Sequence, residues 1–143
     1  MADGTGLERL VGSWRLVSLG VTYTDTQERL ELYGPHPEGF MVLSGNGRIM
    51  FLFARADRQP PRTDADRAAL FNAMTAYTGH VRIEAEDRFV TTVDVAWDPG
   101  WTGEQTRYFT LDGDRLMIRS PAQLHPQSAG RLFIGDLVWE REQ

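Results

Sequence analysis

The chain has 143 residues, with 20 acidic side chains against 15 basic ones and a net charge of -5. That is the length of a single domain over residues 1–143, and the acidic balance disfavours nucleic acid or an anionic membrane as partner. Cysteine is absent and every basic residue is arginine, which excludes disulfides, thiolate metal sites, cysteine nucleophiles, Schiff-base lysines and a phosphate-loop lysine together.

The first twelve residues hold no basic stretch followed by an apolar run, so the expectation is a cytoplasmic protein without signal peptide or membrane span. Residues 5–11 fit a short helix, with Thr5 as its cap and Glu8 three positions on. Residues 13–23 read as the first strand, and a long loop at about 24–38 follows. Strands at 39–44 and 48–54 flank Gly45-Asn46-Gly47, a hairpin signal. Thr63 to about Thr78 reads as a helix: Thr63 caps it, Asp64 and Asp66 sit in its first turn, and Gly79 ends it. Leu70, Phe71, Met74 and Tyr77 would form its apolar stripe. Strands at 80–86, 88–97, 104–111, 115–120 and 131–140 complete the chain, with tight turns at Glu86-Asp87 and Asp112-Gly113-Asp114. The expected fold is all-β, an eight-stranded antiparallel up-and-down barrel, with a short N-terminal helix and a lid helix between strands three and four. Closure removes the exposed edges, and eight strands leave an interior that is filled by side chains or holds one small ligand.

Alternation along the strands assigns the inward faces. Phe89, Thr91, Val93, Val95 and Trp97 point inward on one strand, and Gln105, Arg107, Phe109 and Leu111 on the next. Val81, Ile83 and Ala85 do so on a third. A single bulge would reverse these assignments beyond it. The strand 48–54 is apolar on both faces, with Ile49, Phe51 and Phe53 on one and Met50, Leu52 and Ala54 on the other. Its outer face therefore needs a helix or a second subunit, and a homodimer is expected.

Arg107 is the leading site candidate. A guanidinium inside an apolar barrel can hold a carboxylate, enolate or carbonyl oxygen. The alternatives are an internal ion pair with Glu104 or Asp94, or an outward orientation. Trp97 and Trp101 flank Asp98-Pro99-Gly100 and suit a planar ligand at a barrel mouth, or pack a structured turn. Phe51, Phe53, Phe89, Thr91 and Phe109 would line the lumen, and Phe71 and Met74 would close it from the helix. Tyr77, Tyr33 and His36 are candidates for proton transfer beside Arg107. His80 and His125 read as loop histidines in solvent. The three histidines lie far apart in sequence, so neither a metal nor a cofactor is expected. No serine has a nucleophile-elbow context, and no glycine-rich phosphate loop occurs.

Gly12-Ser13-Trp14 after a short helix resembles the glycine-x-tryptophan signature of lipocalins, and Leu137-Val138-Trp139-Glu140-Arg141 resembles their closing strand. The resemblance implies that Arg141 stacks on Trp14 at the closed end of the barrel. A bacterial and fungal lipocalin-like domain family is the closer match. Its segments resemble Leu10–Ser18, Tyr33–Phe40, Gly47–Met50, Tyr77-Thr78-Gly79, Trp101–Arg107 and Leu111–Leu116, in that order. Members often carry a histidine in the strand equivalent to Phe89–Trp97, where this chain has Thr91-Thr92, so that histidine's role does not transfer. The resemblance speaks to the fold rather than the function; an aromatic, largely apolar lumen with one internal arginine gives the expectation of a barrel that binds a small apolar molecule with an acidic or carbonyl head. Two rival readings stand beside it. One is a cofactor-free cyclase or isomerase acting on a polyketide-like or terpenoid intermediate. The other is a barrel filled by its own side chains.

Overall fold

The computed structural model describes residues 6–142. A 3-10 turn at Leu7–Arg9 precedes β1 (Gly12–Tyr23), β2 (Arg29–Glu31), β3 (Glu38–Leu43) and β4 (Arg48–Ala54). Helix α1 (Asp64–Phe71) follows, then β5 (Met74–Ala85), β6 (Arg88–Ala96), β7 (Gly103–Asp112), β8 (Arg115–Arg119) and β9 (Phe133–Arg141). Neighbouring strands pair antiparallel from β3 through β9, and β1 pairs with both β3 and β9, which closes an eight-strand barrel. The three-residue β2 was not foreseen; it lies in the long first loop and pairs with Gly20–Thr22, beyond the stretch of β1 that pairs with β3. No helix among the described residues is long and apolar enough to cross a membrane.

The long strand β1 changes parity in its middle. Trp14 and Leu16 are buried on even positions, whereas Leu19 and Val21 are buried on odd ones. The cause is a register shift against β9 between Leu16 and Ser18, which leaves Val17 as the extra residue of a bulge. Both halves of the strand thereby face the core. Strand β6 does the same against β5: Val95 turns outward, 65% exposed, after a shift opposite Thr78 and Gly79. The inward assignment holds for Phe89, Thr91 and Val93 and fails at Val95. On β7 the alternation holds, with Arg107 and Phe109 buried and Gln105 and Leu111 half-buried.

The helix over 63–78 is corrected. Only Asp64–Phe71 is helical, capped by Thr63, whose side chain accepts from the Asp66 amide while the Asp66 carboxylate accepts from the Thr63 amide. Met74–Thr78 belongs to β5, so Met74 and Tyr77 are strand residues and no buried stripe exists on α1. Gly79 is not a helix end. It sits at the β5–β6 bulge, where a Cβ would collide with the Thr92 carbonyl oxygen. The N-terminal helix is a single 3-10 turn preceded by Gly6, and its expected cap, Thr5, lies outside the described residues.

The core begins at the N-terminal end of β1. Trp14 and Trp139 are fully buried, with Leu10, Leu16, Leu43, Ile49 and Leu116 around them. The Trp14 indole donates to the Leu10 carbonyl at 3.0 Å. The Arg141 guanidinium lies 4.2 Å from the Trp14 ring centroid and donates to the carbonyls of Val11 and Arg9 at 3.0 and 2.9 Å. That one side chain ties the 3-10 turn to the last strand. The outer face of β3 and β4 stays bare: Met50 is 57% and Leu52 52% exposed, beside their partners Val42 and Phe40.

Truncating Arg141→Ala removes a cation–π contact and two charge-assisted hydrogen bonds, an expected loss of about 2–3 kcal/mol. Arg141→Lys should recover less than half of it, since an ammonium cannot stack and hold both carbonyls at once. Urea unfolding midpoints of the two variants against wild type measure both effects.

Candidate functional site

The end of the barrel opposite Trp14 carries a cavity of about 70 Å³. Its walls come from Leu19, Val21 and Tyr23 on β1, Phe51 and Phe53 on β4, and Thr75 and Tyr77 on β5. Phe133, Gly135, Leu137 and Trp139 on β9, Ile118 on β8 and Arg107 on β7 complete the barrel side. Trp101, Gln123, His125, Gln127 and Ser128 cover it from the connections. The volume exceeds that of one water several times over but falls far below the roughly 300 Å³ of an ordinary small-molecule pocket. Trp14 is fully buried at the closed end, and the cavity lies at the other.

Arg107 is the cation in this wall, only 7% exposed. Neither expected carboxylate reaches it. Asp94 pairs with Arg48 at 2.7 Å and Glu104 with Arg82 at 2.8 Å, both on the outer surface. Among the described residues Arg107 has no ion pair at all. Its Nη1 donates to its neighbour's carbonyl, on Thr106, at 2.6 Å and to the Gln123 side-chain oxygen at 3.1 Å. Its guanidinium carbon lies 6.0 Å from the Trp101 ring centroid. Burial pushes its pKa down, and the facing Tyr77 hydroxyl opposes that shift. Burial in turn raises the Tyr77 pKa, against the pull of Arg107. Tyr77 therefore remains a neutral hydroxyl beside a permanent cation. Its ring stacks on Phe51 at 4.7 Å.

His125, read from the sequence as a solvent histidine, is packed into the aromatic wall. Its ring centroid lies 4.9 Å from Trp101 and 5.5 Å from Trp97. Nδ1 accepts from the Gln127 amide at 3.0 Å, so the ring proton sits on Nε2, 3.2 Å from the Thr75 hydroxyl. Tyr33 is 2.9 Å from the same hydroxyl and donates to the Gln127 side-chain oxygen at 2.7 Å. Burial holds the Tyr33 pKa up at about 12. The His125 pKa is pushed down to about 4, mainly by desolvation and further by Arg107, against the attraction of Asp98.

The other expected site residues divide as follows. Phe51, Phe53, Tyr77, Trp101 and Arg107 meet in the cavity wall. Phe89, Thr91 and Phe109 are buried but lie outside that wall. Trp97 packs between Phe71 and His125, and its indole donates to the Phe71 carbonyl at 3.1 Å. Phe71 is itself largely exposed, and Met74 is half-buried at the start of β5. His36 is exposed on its loop, away from Arg107 and the cavity. Thr75, Gln123, His125 and Gln127 are the residues that sequence reasoning missed. Three of them lie in a loop without periodicity, and Thr75 was placed in the helix. Among the described residues no three His, Asp or Glu side chains converge as a metal site would require.

His125 also makes stability depend on pH. It is neutral in both states at pH 7. Below about 6.5 the unfolded chain takes up a proton that the folded chain refuses until about pH 4. The advantage of wild type over His125→Asn should therefore be full above pH 6.5 and shrink by up to about 3 kcal/mol as the pH falls to 4. Denaturant titrations of both proteins at pH 7, 5.5 and 4.5 measure it.

The comparisons with known proteins bear on the fold and the family. Among solved structures, a redesigned β barrel aligns over the whole of both chains with a TM-score of 0.50 and 14% identity, a likeness of fold alone. No curated protein matches the sequence. A family model described as a lipocalin-like domain matches residues 11–142, nearly the entire chain from just before Trp14 to just past Arg141, and the chain belongs to that family.

Proposed function

We propose that the open end of the barrel binds a small apolar molecule through an acidic or carbonyl head group held at Arg107. The observation that carries this reading is a buried guanidinium without a carboxylate partner among the described residues, set in the wall of a largely apolar cavity. A buried, uncompensated charge destabilises the chain that holds it. A bound anion or carbonyl supplies the missing counterpart, and Phe51, Phe53 and Trp101 supply apolar contact for its body. Tyr77 adds a neutral hydroxyl next to the cation.

That hydroxyl is also the observation behind a second reading, a cofactor-free cyclase or isomerase acting on a polyketide-like or terpenoid intermediate. A protonated tyrosine and a fixed cation can share the negative charge of an enolate. Tyr77 would donate rather than abstract, because burial disfavours its anion. His36 takes no part in this arrangement, and Tyr33 is occupied by Thr75 and Gln127.

Arg107→Met separates a ligand role from a structural one. Replacing an unpaired buried cation with an apolar side chain of similar length should leave the empty protein at least as stable as wild type, and up to about 2 kcal/mol more stable. The same variant should lose binding of an amphiphilic carboxylate by more than tenfold, about the worth of one charge-assisted bond. Thermal unfolding and a fluorescence titration test the two halves together. A destabilised variant would mark Arg107 as a packing residue. For the catalytic reading, the variant should lose turnover of a candidate substrate while part of its binding remains.

The homodimer expectation carries over to the bare outer face of β3 and β4. Two copies packed on Phe40, Val42, Met50 and Leu52 would cover it without opposing like charges, since the neighbouring Arg48 is already paired with Asp94 and Arg15 with Glu140. Light scattering should give twice the chain mass for wild type and the single-chain mass for Leu52→Glu.

A further inference from the structure

The connection from β8 to β9, residues 120–132, lies over the cavity as a strap. At its root Gln123 and Phe133 exchange two backbone hydrogen bonds at 2.9 and 3.0 Å. On its outer side Arg131 pairs with Asp25, and the Leu132 carbonyl accepts from Thr24. Across the mouth it is held by side chains rather than by a strand ladder. Gln123 accepts from Arg107, His125 meets Thr75, and Gln127 donates to the Met74 carbonyl at 2.8 Å.

The directions of these bonds are set. The Gln127 amide donates to His125 Nδ1, so His125 Nε2 donates to Thr75. The Thr75 hydroxyl then has its proton free for Tyr33, and Tyr33 donates to the Gln127 side-chain oxygen. The result is a closed, one-way ring of hydrogen bonds that joins the strap to β5 and to the first loop. Gln123 lies outside this ring and meets Arg107. Its side-chain oxygen accepts from the guanidinium, which also has the Tyr77 hydroxyl beside it.

We propose that the Gln123 amide oxygen is a built-in stand-in for the ligand's head group, which must displace it from Arg107, and that this selects carboxylates over neutral carbonyl compounds. The inference rests on the binding reading above and narrows it. At about 70 Å³ the cavity is far smaller than an ordinary small-molecule pocket, and Gln123 stands directly against the cation. A neutral carbonyl would exchange one amide-like acceptor for another and gain nothing at Arg107. A carboxylate exchanges a neutral acceptor for a charge-assisted, two-pronged one. Only the second exchange compensates for lifting the strap's side chains. Gln123 is thus a specificity residue that acts by competition.

The test uses 2-naphthoate and 2-naphthamide, which share one ring system and differ only in the head. The neutral probe carries the same amide as Gln123. Wild type should bind naphthoate at least tenfold more tightly than naphthamide. Gln123→Leu, which removes the competing oxygen and keeps the volume, should tighten both probes by about tenfold. It should also speed hydrogen exchange at the Gln127 amide. Equal affinities of wild type for the two probes would overturn the selection. Unchanged or weakened binding in Gln123→Leu, with Arg107→Met still abolishing it, would overturn the stand-in role and leave the binding reading intact. If naphthoate binds only once Gln123 is replaced, the competition is demonstrated outright. If it binds neither protein, the binding reading fails and the inference with it.

Discussion

The pairing of β1 with β9 closes the sheet, and that closure depends on one inserted residue. Val17 bulges from β1 and shifts its parity, so that Trp14 and Leu16 face one half of the interior and Leu19 and Val21 the other. A regular strand of twelve residues could keep only one of those sets inside. The bulge also sharpens the local twist, which a long strand needs in order to curve around a small barrel. The two ends of the molecule follow from it. Trp14 and Arg141 meet where β1 begins, and Tyr23 and Phe133 meet where it ends.

The connections are distributed unequally between those ends. At the Trp14 end they are tight turns: Ser44 to Gly47, Glu86-Asp87 and Gly113-Asp114. At the other end they are long, at residues 24–37, 55–73, 97–102 and 120–132. All 7 prolines of the chain fall in those four long connections. Proline narrows the unfolded ensemble of a loop and so lowers the cost of ordering it. The long loops can therefore carry Tyr33, Trp97, Trp101, His125 and Gln127 in defined positions although they lack a ladder. One end of the barrel is built for closure, and the other carries the cavity.

This asymmetry explains what the sequence made legible. Strand alternation placed Arg107 inside, because β7 runs without a bulge past that position. The tight turns were legible because their signals are local, whereas the Trp14–Arg141 contact, between the two ends of the chain, was legible only as what the family resemblance implies. The helix was overextended because Leu70, Phe71, Met74 and Tyr77 satisfy a helical spacing, while Thr75, Tyr77 and Gly79 equally satisfy a strand on which all three are buried. Gly79 served both patterns, as a helix terminator or as a bulge glycine, and only the approach of Thr92 from the neighbouring strand decides between them. His125 and its partners were not legible at all. Their ring joins residues 33, 75, 125 and 127 through contacts across the barrel mouth, and no periodicity records such contacts.

The electrostatics of the open end join these parts. Arg107 is one of the groups that hold His125 neutral, behind the larger effect of desolvation. A neutral His125 keeps Nδ1 free to accept from the Gln127 amide, and that bond orients the whole ring around the strap. The lone cation therefore stabilises the closed cover over its own cavity. An anion placed against Arg107 weakens that influence: it attracts a proton to His125, and a protonated Nδ1 would face the Gln127 amide donor to donor. Filling the cation site and releasing the strap are thus favoured together. By linkage, acid that loosens the strap should in the same measure favour an anion at Arg107, as long as the carboxylate itself stays ionised. Lysine could not take this role with equal security, because burial readily strips its proton, whereas a guanidinium starts from a far higher pKa and holds its charge more firmly.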